Sequence, residues 1–61
     1  MKPRWYHIYV DDKFIETVQS TQEMWVVAQQ VKEIHSDYKN KIEVVMMGMG
    51  ESVTTFRREN C

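Results

Sequence analysis

A single cysteine, Cys61, means that no disulfide can close a loop within this sequence. The two histidines, His7 and His35, are far apart and no Cys-x-x-Cys exists, so a zinc-type cluster cannot take a disulfide's place. A chain of 61 residues is one small domain. It buries only about 60% of the surface that its unfolded form exposes. Of the usual supports for so small a core, only association with another subunit is left. The sequence therefore predicts a homo-oligomer, most simply a homodimer.

Hydrophobic residues make up 43% of the chain and charged residues 28%, the balance of a folded domain. A net charge of −1 argues against binding to duplex nucleic acid, which draws on a large cationic surface. No apolar run approaches a membrane span, and Lys2 and Arg4 precede aromatic residues rather than a leucine-rich signal segment, so no membrane association is expected. A lone thiol suits a reducing cytoplasm.

The stretch Arg4–Val10, RWYHIYV, is dense in aromatic and β-branched residues and reads as a strand, with Pro3 suited to its start. Asp11–Lys13 reads as a turn and residues 14–18 as the return strand. Ser20 followed by Glu23 has the form of a capping box. Met24, Val27, Ala28, Val31, Ile34 and Tyr38 then recur at spacings of three and four, which predicts a helix over 21–38 with Asn40 at its left-handed end. Residues 41–48 and 52–58 read as two further strands. The expected fold is α+β in the order ββαββ, one antiparallel sheet with a single helix on one face.

Such a sheet should be polar on its outer face. Alternation places Tyr6, Ile8, Val10, Ile42, Val44 and Met46 towards the helix, which leaves Trp5, Tyr9, Val45 and Met47 on the other side. A two-residue loop in the first hairpin adds Phe14 and Val18 to that side and sets His7 opposite Glu16; a three-residue loop adds Ile15 instead. An apolar patch of this kind marks either a dimer seam or the docking site of another macromolecule. Trp25, off the helix stripe, is expected either to pack on a strand edge or to form a second contact point.

No Gly-x-Ser-x-Gly, His-Glu-x-x-His or Walker-type loop occurs, and His35 and Asp37 point in different directions on a helix, so no catalytic residue and no cofactor or metal is expected. Asp11 and Asp12 read as turn residues and His35 as a helix-end charge. Arg57 and Arg58 read as solvated or as a clamp for an acidic partner, and Cys61 as a free thiol. "GMGES", from Gly48, reads first as a hairpin bend whose glycines permit positive φ. With sheet order 2-1-3-4, however, Lys2, Arg4, the amides after Ser20 and the Gly48–Met49–Gly50 turn fall at one end of the molecule. That end is a second candidate site, for a small anionic, nucleotide-like ligand.

The leading expectation is a non-catalytic interaction module that binds and blocks or adapts another macromolecule, a type common among phage and mobile-element products. The alternative is a binder of a small anionic ligand. A third class, single-stranded nucleic-acid binding on Trp5 and Tyr9, is weakened by the low positive charge.

Overall fold

The computed structural model describes residues 2–57; the expected end of the last strand at Arg58, and Cys61, lie outside them. Strands β1 (Arg4–Val10), β2 (Lys13–Ser20), β3 (Lys41–Met46) and β4 (Ser52–Phe56) form one antiparallel sheet in the order β2-β1-β3-β4. A single helix, α1 (Met24–Ile34), joins its two halves. This is the expected ββαββ arrangement.

The first hairpin turns on two residues, Asp11 and Asp12, with φ of 53° and 67°. Two successive left-handed residues make the turn whose twist matches that of the flanking strands, and aspartate tolerates the conformation better than most side chains. The turn sets Val10 opposite Lys13 and Tyr9 opposite Phe14. The ladder then slips: Ile8 pairs with Glu16, His7 with Thr17 and Tyr6 with Val18, and Ile15 has no partner. One bulged residue reverses the parity of everything beyond it. Val18 therefore lies on the helix side beside Tyr6 rather than beside Trp5, and Glu16 does not face His7.

Tyr6, Ile8, Ile42 and Val44 are fully buried, and Met46, Val27, Ala28, Val31 and Tyr38 complete the core around them. The buried Tyr6 hydroxyl donates to the Gln22 carbonyl at 2.9 Å, so its polar end is satisfied inside the fold.

The helix is shorter than the 21–38 that periodicity predicts. Ser20 cannot cap it, because its backbone is still paired to Arg4 in the sheet. Its hydroxyl instead accepts from the Gln22 amide at 3.0 Å, and Glu23 takes the N-cap position without a side-chain cap bond. At the other end His35 is the C-cap, its amide donating to the Val31 carbonyl at 2.8 Å. Asn40 is not among the left-handed residues. Ile34 is 76% exposed, and Tyr38 reaches the core only after the turn at 35–37.

β3 stops at Met46 rather than 48, because Gly48 and Gly50, at φ of 85° and 72°, bend the chain into β4. The Met46 amide closes the bend on the Glu51 carbonyl at 2.8 Å. β4 ends at Phe56. The helix packs over β3 and β4, which leaves the edge strand β2 exposed from Lys13 to Thr17.

Candidate functional site

The face of the sheet turned away from the helix carries the side chains that alternate with the core. β1 contributes Trp5, His7 and Tyr9, β3 contributes Glu43 and Val45, and Met47 follows directly after β3. The register sorts them into rows. Gln19, Trp5 and Met47 lie side by side at one end, with the Met47 amide donating to the Trp5 carbonyl at 3.0 Å. Thr17, His7, Val45 and Ser52 form the middle row. Phe14, Tyr9, Glu43 and Thr54 form the next.

Apolar surface is concentrated at two places in this grid. Trp5 and Met47 are 49% and 47% exposed at one end. At the other the Phe14 ring meets Tyr9 at 5.6 Å and His7 at 5.7 Å, both edge-on, an arrangement favoured by the ring quadrupole. Half-buried Val45 lies between them, with His7 and Ser52 as its lateral neighbours and Glu43 and Thr54 in the next row. His7 is oriented through Nδ1, which lies 3.0 Å from the Thr17 hydroxyl. The structure thus brings Trp5, Tyr9, Val45 and Met47 onto one face, adds Phe14 and removes Val18. Trp25 is not part of this face. It sits on the helix, on the opposite side of the sheet, 62% exposed, with its indole NH donating to the Glu23 carboxylate at 3.3 Å.

At the Trp5 end, Arg4 borders two clefts. One, of about 480 Å³, is lined by Pro3, Arg4, Trp5, Met46, Met47, Met49 and Glu51. The other, of about 630 Å³, is lined by Lys2, Arg4, Thr21, Gln22 and Glu23. Arg4 and Met49 therefore come together, while Ser20, Gly48 and Gly50 line neither cleft. Ser20 is engaged in its own turn, and the glycines serve the bend: nothing stands within 4 Å of where a Cβ would project, so conformation rather than space calls for them. Each cleft is also bordered by an acidic residue, Glu51 or Glu23, and the Glu23 carboxylate is turned to the Trp25 indole NH.

Asp11 sits in the turn as expected and has a second structural role, and Arg57, open between solvent and a clamp, is also structural. The Asp11 carboxylate accepts from the amides of Lys39 at 2.8 Å and Lys41 at 3.1 Å, and from that of Asn40. These amides, Lys39 first, hold its pKa below the ordinary 3.8 against an opposing effect of desolvation. Arg57 donates to the Ser36 carbonyl at 3.2 Å and the Tyr38 carbonyl at 2.6 Å, and its guanidinium lies 5.7 Å from the centre of the Tyr38 ring. It fastens the segment after the helix rather than offering a clamp to an anion. Neither role has a local sequence signal, because the partners lie far along the chain.

Among the described residues, no three His, Cys, Asp or Glu side chains are grouped to hold a metal ion, and no helix is long and apolar enough to cross a membrane. No family model, no curated protein and no solved structure matches this chain.

Proposed function

We propose that this protein is a non-catalytic interaction module. It binds and blocks or adapts another macromolecule through the outer face of its sheet, and works as a small homo-oligomer in the cytoplasm. The observation that carries this reading is the apolar surface of Trp5, Met47, Val45, Tyr9 and Phe14 on a sheet whose helix covers the other side. Aromatic and methionine side chains with polar neighbours are the composition of a binding hot spot and its rim. Trp5→Glu and Met47→Glu should each abolish capture of the partner while the helical circular-dichroism signal survives. Capture that is intact in both variants removes the sheet face from consideration.

A second reading is favoured by the position of Arg4 between the two clefts, with Lys2 beside it. In that reading the chain sequesters a small anionic, nucleotide-like ligand. Ultraviolet-absorbing material should then copurify, and a nucleotide should raise the melting temperature. Native mass spectra of protein free of any small molecule, with melting unaffected by nucleotides, count against it.

A further inference from the structure

The first cleft has a donor set made of neither histidine nor cysteine, but of thioethers. Met47 and Met49 both border it, together with Met46 and the Trp5 indole. Met46 is 6% exposed and belongs to the core, whereas Met47 and Met49 are 47% and 66% exposed and free to turn towards a solute. Between them Gly48 takes a φ of 85°. That left-handed step, open to glycine, lets the tight bend present residues on both of its sides to one cleft.

Thioether sulfur is a neutral, soft and polarisable donor. It competes poorly with water for magnesium or calcium, which take oxygen ligands, but selects soft monovalent ions of the copper(I) type. An adjacent indole face attracts a partly desolvated cation through its quadrupole. Glu51 and Arg4, of opposite charge, both border the cleft, so neither sign prevails there. We propose that Met47 and Met49, beside Trp5, form a binding site for a soft monovalent cation, copper(I) or silver(I). The two sulfurs coordinate the ion and the indole covers it, with no change of oxidation state. The site does not require the interaction-module reading, but it shares Trp5 and Met47 with that face, so a partner or second copy seated there competes with the ion.

The test is made on the full chain carrying Cys61→Ser, because a thiolate outcompetes thioethers for the same ion. Trp25→Phe is added so that Trp5 is the only indole. Silver(I) nitrate is titrated in chloride-free buffer. One silver ion per chain is expected by native mass spectrometry, with quenching of Trp5 fluorescence and carbon-13 shifts at the methyl groups of Met47 and Met49. Met47→Leu and Met49→Leu should each weaken binding by about tenfold or more, with the metal-free melting temperature of Met49→Leu unchanged. Met49 lies in the exposed bend, so its variant keeps the test valid if Met47→Leu disturbs the sheet. The proposal is overturned if the chain takes up no silver(I), if binding survives the double leucine variant, or if the shifted methyl groups belong to other methionines.

Discussion

Asp11 serves two distant parts of the chain at once. Its left-handed backbone turns the first hairpin, and its carboxylate gathers the amides of residues 39–41, so the β1–β2 turn and the entry to β3 are locked together. Its amide adds a bond of 2.9 Å to the Lys41 carbonyl. A carboxyl whose pKa is lower folded than unfolded stabilises the fold fully above its ordinary value and loses that contribution as the pH falls through the folded value. Asp11 is lowered in this way from 3.8. Thermal melts from about pH 7 down to about pH 2 should show stability falling below about pH 4. Asp11→Asn should melt lower at neutral pH and show a shallower acid limb; an unchanged limb would mean that the carboxylate is not what holds the loop. On the alkaline side, Lys41 donates to Asp12, with Nζ 3.0 Å from Oδ1, and the bond raises its pKa above 10.5. Stability from that pair is present below 10.5 and is lost as the pH rises through the raised value.

At the scale of elements, the helix and the first hairpin both depart from their simplest patterns. Ile34 continues the apolar stripe of α1 in sequence, yet the helix ends there and leaves it in solvent. Ile42 is fully buried near the start of β3. Ile42→Ala should therefore cost about 2–5 kcal/mol in denaturant unfolding, through lost burial and a cavity. Ile34→Ala should stay within about 0.5 kcal/mol. Comparable losses at the two positions would place Ile34 in the core after all. The bulge makes a second prediction. Ile15 is the unpaired residue of β2, so its deletion leaves the pairings Tyr9–Phe14 and Ile8–Glu16 adjacent in a regular ladder. The deleted chain should fold, with nuclear Overhauser contacts between His7 and Thr17 and between Tyr6 and Val18 preserved. An unfolded product would show that the bulge itself is required.

For the molecule as a whole, the helix buries one face of the sheet and only part of that, since it lies over β3 and β4. The outer face and the edge strand β2 remain open. A two-fold axis would let the outer face bury itself against a second copy and would enlarge a core that is small for want of chain length. Association of this kind makes stability depend on concentration. The melting temperature should rise with protein concentration and fall, at fixed concentration, in Trp5→Glu. A monomer by light scattering at tens of micromolar, with a concentration-independent melt, would remove self-association and leave the face to a different partner.

The order of elements and the identity of the core were legible in the sequence because both rest on local periodicity. Alternation in RWYHIYV and in KIEVVM marks Tyr6, Ile8, Ile42, Val44 and Met46, and helical spacing marks Val27, Ala28 and Val31; all of these are buried. The same alternation placed Trp5, Tyr9, Val45 and Met47 on the outer face. Periodicity does not register a single inserted residue, so the bulge at Ile15, which sends Val18 to the helix side, appeared only once β2 was paired with β1. Nor does it mark where a helix must stop: Ser20 was withdrawn from its capping role by its pairing with Arg4, and Ile34 from the core by the turn that follows it. The fastenings made by Asp11 and Arg57 reach partners 19 to 30 residues away. A carboxylate or guanidinium finds backbone groups at that separation only after the whole sheet has closed, which is why tertiary structure alone decided them.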